Sequence, residues 1–388
     1  MLKITIDATP VKPNPSGVGL YVANLIRELD ALQVDENFEL GIVYQPQLQK
    51  WVKGDFNFPA SLKNYSQTNV LPLPVRISDL LFASGLKLNL SYFEKYFGLP
   101  DILHGTNYSV YPDKNSLKIM DIYDLSFIKY PAYTNTSIRA FMYTQKVKNC
   151  LKWTDLVLTI SESSKRDIIE YLQVDPNKVS VIPLASRYHP DYLSDEMIQE
   201  LEQQVKYDFS KPYLLFVSNI EPRKNINSII TAFNFLKEKY KIEHQLILIG
   251  QKGWKYKQIF TAIETSPWKH EIHHLNYLSD ELVALFYAKA DIFVYPSHYE
   301  GFGLPVLEAM TLGAPVVTSN TSSIPEVTGD AALLIDPNEP IQLAEAILKI
   351  ISDSQLRQTL IDKGKARTKL FSWEKTAREV LKVYRSIV

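Results

Sequence analysis

Short apolar runs alternate with amphipathic stretches along almost the whole chain of 388 residues. Apolar runs between helical patterns are typical of parallel strands that are buried on both faces, so the alternation predicts an α/β fold. The first series of predicted strands is Ile4–Ala8, Leu40–Tyr44, Ile102–His104, Lys118–Ile122, Leu156–Ile160 and Val179–Pro183. Helices predicted between these strands include Gly19–Leu32, Asn135–Leu151 and Ser163–Leu172.

A polar segment, Ser186–Lys211, separates this series from a second one. The second series of predicted strands is Tyr213–Val217, Leu246–Gly250, Ile272–Leu275, Ile292–Tyr295, Val316–Ser319 and Ala332–Ile335. Its predicted helices include Asn225–Lys239, Glu281–Lys289, Pro305–Leu312 and, at the end of the chain, Trp373–Ile387. Two such series predict two doubly wound domains that face each other, over residues 1–200 and 201–371.

Charge and composition exclude several classes of function. The 42 basic and 43 acidic residues leave a formal charge of −1, whereas nucleic-acid-binding proteins usually carry a basic excess, so we expect no nucleic acid partner. The single cysteine, Cys150, favours a reducing compartment. The first residues lack the apolar core of a signal peptide, and no apolar window is long enough to span a bilayer. We therefore expect a cytoplasmic protein.

A turn with two glycines, Ser16-Gly17-Val18-Gly19, follows the first predicted strand. Glycines let a ligand approach the backbone closely, and the N-terminus of the helix that follows favours an anion. Val22 stands where a dinucleotide-binding fingerprint would have its third glycine, so the turn does not predict a dinucleotide site. An ordinary glycine turn explains the pattern equally well.

Two adjacent cations, Arg223 and Lys224, follow the predicted strand Tyr213–Val217. Open α/β sheets bind ligands at the carboxyl ends of their strands. Arginine can bind a phosphate through two parallel hydrogen bonds, and lysine adds a compact positive charge. The pair therefore predicts a phosphate site, with a solvated surface ion pair as the alternative.

Glu300 and Glu308 flank the turn Gly301–Leu304, which opens a predicted helix. Gly301 and Gly303 free backbone amides to meet an anion at the helix N-terminus, while the two carboxylates can accept hydrogen bonds from sugar hydroxyls. Together with the two cations, this pattern predicts a site for a nucleoside diphosphate-sugar. The chain has no D-x-D motif to bring a divalent metal to the phosphates, so we expect a metal-independent reaction. We expect no cofactor, because the nucleotide sugar is a co-substrate.

The segment Pro296–Met310 resembles the E-x7-E signature of the retaining glycosyltransferases of family 4. Further regions that resemble the family are Val217–Asn225, Gly313–Val317, Ile324–Asp336, Ser16–Tyr21 and Asp124–Phe127. The resemblance is dense over residues 212–337 and patchy over 1–185. It implies a GT-B fold, in which two Rossmann-like domains face each other and the active site lies in the cleft between them.

The resemblance also implies roles for individual residues. It places Asp124 and Glu300 in the catalytic site, with Glu300 positioning the substrate rather than acting as a base. The diphosphate-binding residues that it implies are Gly17, Gly19, Arg223, Lys224, Gly303 and Leu304. The donor-sugar contacts that it implies are Tyr123, Glu300, Phe302 and Gly303, with Glu308 on the ribose and Tyr277 and Leu278 in the base pocket. The terminal helix, residues 372–388, is expected to pack on the first domain.

Three features of the first half leave alternatives open. Tyr123 stands where members of the family often carry a histidine that contacts the donor sugar, and a phenol has neither the geometry nor the pKa of an imidazole. His104 ends a predicted strand, either facing the cleft or as a structural histidine. The apolar segment 71–99 fits an acceptor channel or a membrane-touching surface, but a core or dimer helix explains it more simply.

The leading hypothesis is a retaining glycosyltransferase that moves a hexose from a nucleotide diphosphate-sugar to a glycan or a lipid-linked glycan. Family frequency alone favours UDP and glucose. A GDP-mannose-dependent mannosyltransferase is the alternative donor specificity, and a nucleotide-sugar epimerase of GT-B fold is the alternative class. A lipid-linked acceptor would fit peripheral contact with the inner face of a membrane.

Overall fold

The computed structural model describes residues 1–12, 17–65, 67–85, 91–133, 137–205 and 207–388. They form two compact units. The first unit comprises Met1–Leu184 and Ser372–Val388, and the second comprises Ala185–Phe371. The chain therefore leaves the first unit once and returns to it at its C-terminal residues.

A parallel sheet forms the centre of the first unit. Its strands, among the described residues, are β1 (Leu2–Asp7), β2 (Phe38–Tyr44), β3 (Thr68–Val70), β4 (Ile102–Gly105), β5 (Leu117–Asp121), β6 (Leu156–Thr159) and β7 (Val179–Val181). They lie in the order β3-β2-β1-β4-β5-β6-β7. The α-helices of Met1–Leu184 are α1 (Val18–Glu36), α2 (Leu48–Val52), α3 (Val75–Ser84), α4 (Ser126–Lys129), α5 (Ser137–Cys150) and α6 (Glu162–Leu172). Its short 3₁₀ helices are Ala60–Leu62, Ser91–Tyr96, Pro131–Tyr133 and Pro176–Lys178.

The switch in strand order of the first sheet lies between β1 and β4. Ile4 of β1 pairs with Leu40 on one side and with Ile102 on the other. The strands β4 and β6 are buried along their whole length, as expected for a parallel sheet with both faces covered. Strand β3 was not predicted, because Thr68–Val70 is a short edge strand with no fully buried residue.

The described part of the segment 71–99 contributes several side chains to the core of the first unit. Leu71, Phe82 and Phe97 are buried in one cluster of apolar side chains. The simpler prediction, a core element, therefore fits these positions. Leu80 on α3 is 54% exposed, and residues 86–90 lie outside the described residues, so contact of this segment with a membrane or an acceptor stays a prediction.

The second unit is built around another parallel sheet. Its strands, in the part of the chain that is described, are β8 (Tyr213–Val217), β9 (Gln245–Ile249), β10 (Ile272–Leu275), β11 (Ile292–Tyr295), β12 (Val316–Ser319) and β13 (Ala332–Ile335), in the order β10-β9-β8-β11-β12-β13. The α-helices are α7 (Asp195–Gln204), α8 (Ile226–Tyr240), α9 (Lys257–Thr265), α10 (Asp280–Ala288), α11 (Leu304–Thr311), α12 (Ile324–Thr328), α13 (Pro340–Ser352) and α14 (Ser354–Thr368). The 3₁₀ helices are Pro222–Lys224 and Lys269–Glu271.

The second unit begins at Ala185, whereas the sequence analysis placed the boundary at residues 200 and 201. The reason is that the start of the polar segment is anchored in the second unit. The Arg187 guanidinium pairs with the carboxylates of Asp280 and Glu308, and the Tyr188 hydroxyl donates to the Asp280 carbonyl. The polar segment is therefore not a free linker, and it includes helix α7.

The C-terminal helix α15 (Trp373–Ile387) belongs to the first unit. The Ser372 hydroxyl caps its N-terminus by accepting a hydrogen bond from the Lys375 amide. Arg378 and Arg385 both pair with the Glu36 carboxylate at the end of α1. Among the helices of the described residues, none is both long and apolar enough to cross a membrane.

Candidate functional site

The switch point of the second sheet brings two predicted motifs together. Strand β8 lies next to β11, with Leu214 paired to Ile292 and Leu215 to Phe293. The residues that follow β8 and those that follow β11 therefore lie side by side at one edge of the sheet. An open α/β sheet binds ligands outside the carboxyl ends of its strands at such a point.

Glu300 lies at the centre of a cluster of polar side chains at this edge, which we call the Glu300 cluster. Lys224 Nζ lies 2.7 Å from Glu300 Oε1, and Arg223 Nη1 lies 3.2 Å from Glu300 Oε2. The Ser297 hydroxyl and the Tyr295 hydroxyl also donate to Glu300 Oε1, over 2.6 and 3.0 Å. The two predicted cations and the predicted carboxylate thus form one preorganised group.

Opposite charges fix the ionisation of this cluster. Burial would raise the pKa of Glu300, but the charges of Lys224 and Arg223 and the hydrogen bonds that the carboxylate accepts lower it to about 2. Burial and the neighbouring Arg223 charge lower the pKa of Lys224. Arg223 also pairs with Glu221 at 3.0 Å, so its guanidinium bridges two carboxylates. A carboxylate with so low a pKa is a weak base, which agrees with a positioning role for Glu300.

The turn before helix α11 has a glycine at a position where the backbone conformation and a close neighbour both favour one. Gly303 has a φ of 104°, in the region that favours glycine, and a Cβ at this position would lie 2.6 Å from Ile324 Cδ1. The first intrahelical bonds run from Val306 N and Leu307 N to the Gly303 carbonyl. The amides of Gly303 and Leu304 precede these bonds and lie at the positive end of the helix dipole.

Glu308 belongs to a second group of polar side chains, which we call the Glu308 cluster. Arg187 donates from Nε to Glu308 Oε1 over 2.7 Å and from Nη2 to Oε2 over 3.3 Å. The same guanidinium donates from Nη1 to Asp280 Oδ1 over 2.7 Å. The Tyr287 hydroxyl lies 3.4 Å from Glu308 Oε2, to which it donates. The carboxylate predicted to contact a ribose is thus held by an arginine from the polar segment.

Burial dominates the electrostatics of Glu308, in contrast to Glu300. The Glu308 side chain is 1% exposed, and burial raises its pKa even though the charge of Arg187 acts in the opposite direction. Burial would lower the pKa of Arg187, but the charge of Glu308 raises it. The two glutamates of the predicted signature therefore have pKa values shifted in opposite directions.

The remaining predicted residues of the second unit lie in different surroundings. The Phe302 side chain is buried against Phe371, with ring centroids 5.9 Å apart, so a contact of Phe302 with a donor sugar would come from its backbone. Tyr277 and Leu278 lie between β10 and α10, at the carboxyl end of β10. Tyr277 is 57% exposed. This position is compatible with a base pocket, and the assignment stays a prediction.

The first unit contains the predicted Gly17, Gly19, Tyr123 and Asp124. Gly17 is the N-cap of α1 with a φ of 55°, and Gly19 is buried in the first turn of that helix. Asp124 Oδ1 accepts a hydrogen bond from the Ser126 amide, which makes a local turn at the start of α4. Ser16, the first residue of the predicted turn, lies outside the described residues.

Tyr123 does not present its hydroxyl as the sequence analysis expected. The side chain is 6% exposed, and its O–H donates to the Thr106 carbonyl over 2.5 Å and lies 3.2 Å from Asp121 Oδ2. The phenol is directed into the first unit because the buried carbonyl and carboxylate there need a hydrogen-bond donor. The structure therefore does not support a contact of the Tyr123 hydroxyl with a donor sugar.

His104 is a structural histidine. Its side chain is fully buried, with Nε2 2.9 Å from Asp121 Oδ1 and Nδ1 2.7 Å from the Tyr384 hydroxyl. Because both ring nitrogens have partners inside the first unit, the imidazole links β4 and β5 to the C-terminal helix α15. We call His104, Asp121, Tyr123 and Tyr384 the Asp121 cluster.

The structure shows partners that the sequence analysis missed. Arg187, Tyr295 and Ser297 contact the predicted glutamates. Arg187 and Tyr295 lie outside the segment Pro296–Met310, and Ser297 lies inside it but was not predicted to contact Glu300. Among the described residues, no group of three His, Cys, Asp or Glu side chains is arranged to hold a metal ion. Metal-independent chemistry stays a prediction.

Comparison with protein families and with known proteins connects this geometry to a function. A family model described as "Glycosyl transferases group 1" matches residues 197–367. The chain is 30% identical over 388 residues to the O-antigen chain mannosyltransferase B of Escherichia coli, with 99% of this chain and 100% of that protein covered. It is also 30% identical over 227 residues to the serotype-specific mannosyltransferase WbdA of Escherichia coli, which covers 58% of this chain and 28% of WbdA.

Solved structures support the fold. The sucrose-phosphate synthase from Thermosynechococcus elongatus superposes with a TM-score of 0.74 at 20% identity, over 100% of this chain and 99% of that chain. At this identity the likeness concerns the fold alone. The predicted fold class is confirmed: two Rossmann-like domains of the GT-B type.

Proposed function

Because the chain belongs to the family of glycosyl transferases group 1, we propose that it transfers a mannosyl group from GDP-mannose to a hydroxyl of a glycan. The match to a mannosyltransferase over 99% of this chain and 100% of that protein supports mannose as the transferred sugar, and GDP is the nucleotide of the mannose alternative. It moves the proposal away from UDP-glucose, which had the support of family frequency alone. Retention of the anomeric configuration is part of the proposal, and it rests on the resemblance of Pro296–Met310 to the retaining enzymes.

The Glu300 cluster supports the transfer step. In this step the bond between the anomeric carbon and the diphosphate oxygen breaks, a bond from that carbon to the acceptor oxygen forms, and the acceptor proton leaves with the departing GDP. Negative charge develops on the diphosphate, where Arg223, Lys224 and the amides of Gly303 and Leu304 can stabilise it without reorganisation. Glu300 holds both cations in place and remains ionised.

Product analysis tests the transfer. We expect the purified chain to transfer mannose from GDP-mannose to a mannose-terminated oligosaccharide, and mass spectrometry should show one added hexose. NMR of the product should show the α configuration of the donor. Transfer from UDP-glucose under the same conditions, with none from GDP-mannose, would identify UDP-glucose as the donor and contradict this proposal. A β-linked product would contradict retention.

Ligand-induced stabilisation identifies the nucleotide independently of the acceptor. A ligand that binds only the folded chain increases the free energy of unfolding by about RT ln(1 + [L]/Kd), and the melting temperature rises with it. GDP should therefore raise the melting temperature more than UDP, ADP or NAD at equal concentration. An equal rise with UDP would contradict the choice of GDP. Release of free sugar or epimerised nucleotide sugar without an acceptor would favour the epimerase class.

Metal independence has a simple test within this proposal. We expect transfer to continue at an unchanged rate in excess EDTA, because two cations and a helix N-terminus can neutralise the diphosphate. A rate that EDTA abolishes and Mg²⁺ or Mn²⁺ restores would show that the cations do not replace a metal. The nature of the acceptor, soluble or lipid-linked, and peripheral contact with a membrane stay predictions.

A further inference from the structure

Among the described residues of the Glu308 cluster, Arg187 is the side chain that pairs with both carboxylates, those of Glu308 and Asp280. Its guanidinium donates twice to Glu308 and once to Asp280, and it lies over the Tyr188 ring at 5.4 Å from the ring centroid. A guanidinium has five N–H donors, of which these contacts use three. A carboxylate has about four acceptor positions, and the arginine and Tyr287 together use three of those of Glu308. The pair thus keeps both donor and acceptor capacity.

Arg187 is the more exposed member of its ion pair with Glu308. The Glu308 side chain is 1% exposed and the Arg187 side chain is 25% exposed. Because Arg187 Nε lies 2.7 Å from Glu308 Oε1, a ligand that contacts this carboxylate also lies near the guanidinium. The Asp280 side chain, the third member of the group, is 47% exposed.

A ribose diol matches this pair chemically. Each hydroxyl donates one hydrogen bond and accepts others, so a hydroxyl can donate to the carboxylate while its oxygen accepts from the guanidinium. A carboxylate alone offers acceptance only, and when buried and unpaired it is costly to keep ionised. The bidentate contact with Arg187 fixes the orientation of Glu308.

We propose that Arg187 is a positioning residue for the donor nucleotide, holding Glu308 in the orientation that accepts the ribose diol and donating to the same diol. The inference rests on the proposed function, since it assumes a nucleotide donor, but it does not depend on which base the nucleotide carries. It adds a residue from the polar segment 186–211 to the ribose subsite.

Comparison of a ribonucleotide with its deoxy analogue tests the inference by calorimetry. We expect the unaltered chain to bind GDP at least ~10-fold more tightly than 2′-deoxy-GDP, because the deoxy analogue leaves buried polar groups without a partner. In Arg187→Met this ratio should fall below ~3, and Arg187→Lys, which keeps the charge but not the fork, should lie between. The KM for GDP-mannose should rise in the same order. A merely structural ion pair would lower the melting temperature without changing the ratio.

Matched variants separate folding from recognition. Arg27→Met removes an exposed arginine paired with Glu28 in the first unit and should leave the ratio unchanged. Arg187→Met/Glu308→Gln removes both charges of the pair, so it avoids a buried unpaired carboxylate if Arg187→Met fails to fold. An unchanged ratio in the folded variants, or in Arg187→Lys if it alone folds, overturns the inference. If the unaltered chain binds UDP instead of GDP, the same ratio is measured with 2′-deoxy-UDP, and failure to bind any nucleoside diphosphate overturns the proposed function itself.

Discussion

Each sheet has a buried carboxylate near the carboxyl ends of its strands, and the two carboxylates have different kinds of partner. In the first unit, Asp121 has His104 and Tyr123 as partners, both inside the unit, and the His104 ring is in turn bound by Tyr384. In the second unit, Glu300 is surrounded by two cations, Lys224 and Arg223. Both carboxylates lie at the end of a parallel strand or just after it, so the fold alone does not distinguish them.

The difference lies in what the partners can do for an anionic ligand. A buried carboxylate whose partners are a ring nitrogen and a hydroxyl has its hydrogen bonds satisfied inside the protein, and these bonds help to hold a helix on the sheet. A carboxylate that holds two cations at a sheet edge positions positive charge where a diphosphate can use it. We therefore propose a role in stability for the Asp121 cluster and a role in donor binding for the Glu300 cluster, and the predictions below test this division.

Loss of Lys224 should have the largest effect. In Lys224→Met we expect kcat/KM for GDP-mannose to fall by about 10²–10³, because one of the two cations proposed to stabilise the developing diphosphate charge is removed. Lys363→Met, which breaks an exposed ion pair with Asp330 in the same unit, is the control and should retain activity. A Lys224→Met variant that keeps full activity would contradict the proposed role of the Glu300 cluster in donor binding.

The pH dependence of stability should distinguish the Glu300 carboxylate from its glutamine variant. The pKa of Glu300 in the folded chain is about 2, below its ordinary value, so its ionisation stabilises the fold above that ordinary value. This contribution, of up to ~3 kcal/mol, is lost as the pH falls from about 4.5 towards 2. Urea unfolding at pH 6, 5, 4 and 3 should show a smaller loss of stability in Glu300→Gln than in the unaltered chain. Parallel curves would contradict the charge assignment.

Loss of the imidazole should destabilise the first unit without weakening donor binding. In His104→Ala we expect the free energy of unfolding to fall by ~2–4 kcal/mol, because Asp121 and Tyr384 lose a buried partner and a cavity remains. Calorimetric affinity for GDP at a temperature where the variant is folded should equal that of the unaltered chain. A selective loss of GDP affinity would instead give His104 the functional role that the sequence left open.

Sequence reasoning succeeded where the signal was local. The strands Tyr213–Val217 and Ile292–Tyr295 are fully buried and read as continuous apolar runs, so their predicted bounds match those of β8 and β11. Their adjacency then placed Arg223, Lys224 and Glu300 at one edge of the sheet. The contact between Arg187 and Glu308 could not be predicted in this way, because 121 residues separate them and a single arginine in a polar segment has no periodicity. The predicted contact of Tyr123 with the donor sugar is not supported for a related reason. The Thr106 carbonyl and the Asp121 carboxylate orient the Tyr123 hydroxyl, and the local sequence does not reveal that these partners are buried.

Removal of a single hydroxyl gives the smallest effect and the sharpest test of the Asp121 cluster. Tyr384→Phe keeps the ring that packs edge-on to His104, with centroids 5.7 Å apart, and removes the 2.7 Å hydrogen bond to Nδ1. We expect a loss of ~1 kcal/mol in the free energy of unfolding, the usual contribution of one hydrogen bond, with kcat/KM unchanged. The loss should largely disappear in the His104→Ala background, where the partner is already absent, and a double-mutant cycle measures this coupling. Equal losses in both backgrounds would mean that the hydroxyl acts through something other than His104.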